Sequence, residues 1–279
     1  MNFSGLNNFQ QRSLMSFLGI AFSAFVIYFS HTPGFDYLFV LTLALVQAAA
    51  LSEYYTLSAN KGFTPLRKLP LIASCAFFFL HYLLPLQPIA LPFLLLLMAF
   101  AFVGYFSKHE GSIANLAVTI FGVAYITIPL SFLLDVNYAG SRSWFVYLLV
   151  TTKMTDTVAY FSGKLLGTRL LTPTLSPKKT IEGAIGGLVG STAASFGFYV
   201  LFQAAGYPET LGLSLAESLV LGAIIGLVSQ IGDLAESMLK RDAQVKDSST
   251  LPGFGGMLDV VDSLIFTTPL LYFWLSVRS

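Results

Sequence analysis

The chain has 279 residues, 55% hydrophobic and only 10% charged, with a formal net charge of +1. An average soluble domain carries roughly 25% charged residues, and folding alone cannot hide this much apolar side chain because surface still grows with chain size. The composition therefore excludes a soluble domain. The near-neutral charge says nothing about nucleic acid, and no basic tail suggests such a partner, so none is expected. The single cysteine, Cys75, excludes an internal disulfide framework and reads as a packing residue in an apolar run.

A membrane-crossing helix takes about 20 mostly apolar residues. Nine segments of that kind follow one another, at about 13–30, 37–57, 69–86, 88–106, 113–134, 143–162, 181–205, 215–235 and 260–277. The first has one weak positive charge before it, Arg12, and no small-residue cleavage site after it, so it reads as a retained helix and not a signal peptide. Lys and Arg alternate strongly between the loops. With the N-terminus inside, twelve fall on inner segments and two, Arg142 and Arg278, on outer ones, while Lys153 falls within a span. The expectation is an all-α polytopic membrane protein of nine spans, N-in and C-out. Residues 1–106 form a transmembrane scaffold, and residues 107–279, which hold most of the ionisable groups, form the catalytic region.

Three polar clusters break the apolar pattern. Lys153-Met154-Thr155-Asp156-Thr157-Val158-Ala159-Tyr160 lies within the sixth span. Ser176-Pro177-Lys178-Lys179-Thr180-Ile181-Glu182-Gly183 leads into the seventh. The third runs from Gly232 to Asp262. In it Asp233, Glu236 and Lys240 share one helix face, with Ser237 and Arg241 beside them. The chain then passes Lys246, Asp247, Gly253, Gly255 and Gly256 into a last helix bearing Asp259 and Asp262 at i and i+3. An Asp at the centre of a membrane helix costs about 2.5–3.5 kcal/mol. Asp156, Asp233, Asp259 and Asp262 at span ends therefore need a counter-charge, and a hard divalent cation such as Mg²⁺ suits oxygen ligands. Neighbouring Lys178, Lys179, Lys240, Arg241 and Lys246 suit a polyphosphate. The glycines let backbone N–H groups approach phosphate oxygens.

Plainer readings apply elsewhere. Lys153 and Asp156 at i, i+3 are compatible with a structural ion pair, and Lys61, Arg67 and Lys68 follow the positive-inside rule. Glu53 near a span end reads as interfacial. Gly183, Gly186, Gly187, Gly190, Gly222 and Gly226 give small-xxx-small spacings that favour close helix packing. His31, His81 and His109 have no metal-ligand spacing.

The run Ser237-Met238-Leu239-Lys240-Arg241, Lys246-Asp247, Leu251-Pro252-Gly253, Gly255-Gly256, Leu258-Asp259 and Asp262-Ser263 resembles the signature of the phosphatidate cytidylyltransferase (CDP-diglyceride synthase) family, and the two upstream clusters look like its accompanying motifs. The match covers about residues 150–265. The resemblance implies a multi-pass helical homodimer in the inner (cytoplasmic) membrane, with its site facing the cytoplasm. It implies CMP transfer from CTP to phosphatidate with release of pyrophosphate. Asp233, Asp259 and Asp262 would hold Mg²⁺, with a monovalent cation such as K⁺ beside it, and Lys178, Lys179, Lys240, Arg241 and Lys246 would hold phosphate groups. Asp156, Ser176, Thr180, Glu182, Glu236, Ser237, Asp247, Gly253, Gly255 and Gly256 would complete the substrate site. The family's His between the glycines is Phe254 here, and its Arg after the first Asp of the last motif is Val260. These departures leave room for a CTP-using enzyme with another lipid acceptor. A transporter is the reading from a different class, and charges gathered at helix ends argue against it, because transporters bind near the midplane.

Overall fold

The computed structural model describes residues 8–85, 87–106, 110–245 and 256–278. These are almost entirely helical. The helices are α1 (Asn8–Phe29), α2 (Phe35–Asn60), α3 (Lys68–Leu83), α4 (Ala90–Tyr105), α5 (Ser112–Gly122), α6 (Ile128–Asp135), α7 (Arg142–Leu166), α8 (Ile181–Ala204), α9 (Leu215–Asp242) and α10 (Met257–Arg278). Two π-helical segments, Val123–Thr127 and Val136–Gly140, continue α5 and α6, so that each of the nine expected segments is helical among the described residues. Five helical stretches are long and apolar enough to cross a membrane: Phe35–Asn60, Ser112–Tyr138, Ile181–Ala204, Leu215–Asp242 and Met257–Arg278. The apolar helices Phe17–Phe29, Lys68–Leu83 and Ala90–Tyr105 are shorter.

One short element departs from the all-α expectation, which the rest of the described residues bear out. Residues read as a loop form an antiparallel hairpin, β1 (Leu170–Thr172) and β2 (Ser176–Thr180), with Leu170 opposite Thr180 and Thr172 opposite Ser176. Its second strand runs straight into α8, where the Thr180 hydroxyl caps the helix by accepting from Gly183 N–H at 3.0 Å.

Packing divides the chain into two compact units, Met1–Ile128 with Asp242–Val260, and Pro129–Arg241 with Val261–Ser279. This grouping differs from the division by charge content at residue 106. It places the end of α9 and the start of α10 with the first unit. That unit is organised on α2, whose Phe39, Val40, Ala50, Leu51 and Tyr55 are fully buried. Polar side chains are tied off internally, as a low-dielectric setting requires. Gln47 Nε2 donates to Thr127 Oγ1 at 2.8 Å, Thr127 Oγ1 to Ser74 Oγ at 3.1 Å, and Tyr55 Oη to Thr119 O at 2.9 Å. Cys75 is half-buried, its thiol 3.9 Å from Ala44 O.

In the second unit the small residues do what their spacing predicts. A Cβ on Gly187 would lie 3.0 Å from Ala159 Cβ and 3.1 Å from Thr155 O, and one on Gly190 would lie 2.6 Å from Val158 Cβ, so α8 lies against the backbone of α7. The same logic joins α9 to α8, with Gly222 facing Thr192 Cα at 2.9 Å. It also joins α10 to α9: a Cβ on Gly232 would meet Asp262 O at 2.5 Å and Ser263 Cα at 3.0 Å. This last contact decides the site, because it sets Asp233 beside Asp262.

Candidate active site

Asp156, Tyr160 and Lys164 recur every fourth residue on α7 and so form one face. That face, β2 and the C-terminal part of α9 enclose a cleft of about 380 Å³, within the range of ligand sites. It is lined by Asp156, Tyr160 and Lys164, by Ser176, Lys178, Lys179 and Thr180, and by Gln230 and Asp233. Residues of the first two polar clusters and Asp233 of the third therefore meet within the second unit.

The charges in the cleft are partly paired. Lys179 makes an ion pair with Asp233, and Lys153 Nζ lies 3.5 Å from Asp156 Oδ2. Lys164 sits 5.9 Å from the Tyr160 ring centre, and exposed Lys178 carries no ion pair among the described residues. Asp262 is 5% exposed and interacts electrostatically with Asp233, Asp156 and Lys153. Its Oδ1 accepts from Ser263 N–H at 2.5 Å and Ser263 Oγ at 3.0 Å. Its Oδ2 makes no hydrogen bond among the described residues.

Among the described residues, no three His, Cys, Asp or Glu side chains already form a metal-ligating group. The donor chemistry nevertheless fits a hard cation. Asp156, Asp233 and Asp262 feel one another's charge, only oxygen donors are present, and a buried carboxylate retains an uncommitted oxygen. Lys179 neutralises Asp233 where an ion would. Asp259 lies one turn before Asp262 on α10 and is half-buried.

Several residues expected at the substrate have tasks in the protein itself. Glu236 and Lys240 pair with each other at 2.6 Å, with side chains 1% and 12% exposed, so Lys240 already neutralises a buried carboxylate. Arg241 Nε donates to Leu175 O at 3.0 Å and braces the hairpin turn. Glu182 holds the hairpin's base, accepting from Thr168 N–H at 3.1 Å, Thr168 Oγ1 at 2.8 Å, and Arg169 N–H and Nε, both at 3.2 Å. Ser237 is half-buried on α9, and Gly256 is buried just before α10. Lys246, Asp247, Gly253, Phe254 and Gly255 lie outside the described residues. Tyr160, which closes the first cluster, also lines the cleft, as do Lys164 and Gln230, which had not been singled out. The Asp156–Lys164 spacing was the available signal for Lys164.

Glu53, near the end of α2, was not among the expected site residues. It is 1% exposed and bonded to the start of α10.

Comparison with known proteins shows the chain's family. The sequence pattern described as "Cytidylyltransferase family" matches residues 10–278. A protein of Chlamydia pneumoniae named phosphatidate cytidylyltransferase is 31% identical over 288 aligned positions, covering 96% of this chain and 92% of its own length. A protein of the same name from Synechocystis is 31% identical, with 95% of each chain covered. One from Staphylococcus aureus is 38% identical over 182 positions, covering 63% of this chain and 66% of its own. With matches that run nearly end to end and include every residue of the cleft, the chain belongs to the cytidylyltransferase family.

Proposed function

We propose that this chain transfers CMP from CTP to phosphatidate, releasing pyrophosphate and forming CDP-diacylglycerol, at the cytoplasmic face of the inner membrane. One observation carries the reading. Lysines and carboxylates from α7, β2 and α9 line a single cleft in a helical protein whose outward side chains are largely apolar. A lipid acceptor remains in the bilayer while a nucleotide arrives from water, and such a cleft serves both. The names of the relatives support the same substrates.

A phosphatidate oxygen attacks the α-phosphorus of CTP. The new P–O bond forms as the bond to the bridging oxygen of the β-phosphate breaks. The attacking oxygen is already anionic, so no strong general base is demanded, and Phe254 in place of a histidine is compatible with turnover. Lys178 and Lys179 neutralise phosphate charge, joined by Arg241 and Lys246 in the same reading. Asp233, Asp259 and Asp262 are the proposed Mg²⁺ ligands, and the ion supplies Lewis-acid stabilisation of phosphoryl oxygens. A monovalent cation such as K⁺ beside it belongs to the proposal. So do nine spans with the N-terminus inside, supported by the twelve-to-two loop distribution of Lys and Arg, and a homodimer.

The test is purified protein with phosphatidate, Mg²⁺ and radiolabelled nucleotide. Lipid-soluble label from CTP and none from ATP is expected. Equal use of ATP, or another lipid acid preferred over phosphatidate, overturns the assignment.

A further inference from the structure

Within the first unit, Glu53 of α2 is almost completely buried, and each of its oxygens accepts a bond from the start of α10. Oε1 accepts from Met257 N–H at 2.9 Å and Oε2 from Leu258 N–H at 2.8 Å. The first N–H groups of a helix have no partner inside it. A side chain just before the helix usually supplies one, but the residue preceding Met257 is Gly256. The cap comes instead from a helix about two hundred positions earlier, as a carboxylate at the positive end of the helix dipole. Just past the end of α2, Lys61 Nζ lies 2.7 Å from Asp242 Oδ1 and 3.2 Å from Asp242 O, where α9 ends. Both members of that pair are well exposed, so it is the weaker contact. The buried, charge-assisted pair of bonds from Glu53 is the stronger.

An interfacial acid has no reason to be buried with both oxygens on the opening turn of another helix. That turn carries Asp259, and Asp262 follows one turn later. Each helix residue advances 1.5 Å and turns about 100°, so fraying at Met257–Leu258 displaces Asp259 first.

We propose that Glu53 is a positioning residue for the reaction, fixing the start of α10 and so the carboxylates Asp259 and Asp262. The proposal rests on the assignment of those carboxylates to Mg²⁺.

The test compares wild type, Glu53→Gln and Glu53→Asp in detergent. Gln keeps the shape but presents an N–H₂ where an acceptor is needed, whereas Asp keeps the charge. Two readouts are taken: the Mg²⁺ concentration giving half-maximal CDP-diacylglycerol formation, and the rise in melting temperature on adding Mg²⁺ without substrate. In Glu53→Gln half-saturation should shift by about tenfold or more, the range for lost outer-sphere support. The Mg²⁺-induced rise should shrink, and Glu53→Asp should recover part of both. Activity lost only in proportion to folded protein, with unchanged Mg²⁺ dependence, overturns the proposal. So does an unaltered Mg²⁺-induced rise in Glu53→Gln. Wild type that forms no product but shows the Mg²⁺-induced rise would count against the reaction and leave the positioning role readable.

Discussion

Gly232→Ala is the sharpest probe of how the carboxylates are brought together. The added Cβ would lie 2.5 Å from Asp262 O and 3.0 Å from Ser263 Cα, where ordinary contact begins at 3.4 Å. The shortfall to Asp262 O is 3.4 − 2.5 = 0.9 Å. Both obstructing atoms are backbone, so no flexible side chain can yield, and α10 must move away from α9. Overpacking of this kind costs about 1–3 kcal/mol. The better helix propensity of Ala returns up to about 1 kcal/mol. The net loss of stability is therefore modest. The effect on chemistry is not, because a misplacement of about 1 Å costs on the order of 100-fold in rate, and the displaced residue is Asp262 relative to Asp233. The assay is kcat/KM for CDP-diacylglycerol formation beside the melting temperature. The control is Gly197→Ala on α8, where a Cβ meets nothing within 4 Å. Gly232→Ala should fall about 100-fold while remaining folded, with Gly197→Ala unchanged. Equal activity in both variants would refute the close α9–α10 contact.

Other outcomes follow from individual contacts. Lys240→Met removes the ion-pair partner of buried Glu236, a loss of about 3–5 kcal/mol; the double variant Glu236→Leu/Lys240→Met should regain most of it in thermal unfolding, whereas a phosphate-holding Lys240 would leave the double variant folded but inactive. Lys178→Met removes a charged donor with no ion pair among the described residues, so the KM for CTP should rise about tenfold, from about 1.5 kcal/mol of lost charge-assisted bonding, with melting temperature unchanged. Glu182→Ala frees Thr168 and Arg169, and limited trypsin digestion should cleave after Arg169 faster than in wild type.

The sequence read the helices well because lipid-facing composition is a strong signal over about 20 residues. Hydropathy alone ended the eighth span near residue 235, and the shared face of Asp233, Glu236 and Lys240 carried the helix beyond it; α9 continues to Asp242, where the Glu236–Lys240 pair lets charged residues remain helical. The last apolar span was set at about 260, but the helix itself was expected just after Gly255-Gly256 and begins at Met257; its cap, Glu53, is a partner that no local pattern reveals. The hairpin was illegible because Ser176-Pro177-Lys178-Lys179-Thr180 has no alternation of apolar and polar residues. The meeting of Asp156, Lys179 and Asp233 was legible only as three clusters too charged to be left apart in a membrane protein. Which lysine holds which carboxylate was not, because pairing such as Lys179 with Asp233 depends on where β2 crosses α9.

The most direct measurement is CDP-diacylglycerol formation by Asp262→Asn and Asp233→Asn, each compared with wild type under saturating CTP, phosphatidate and Mg²⁺. Both variants should remain folded and lose nearly all product formation, because a neutral amide binds a hard cation poorly where an anionic oxygen is needed. Turnover at the wild-type rate by either variant would contradict the claim that these carboxylates form the working centre.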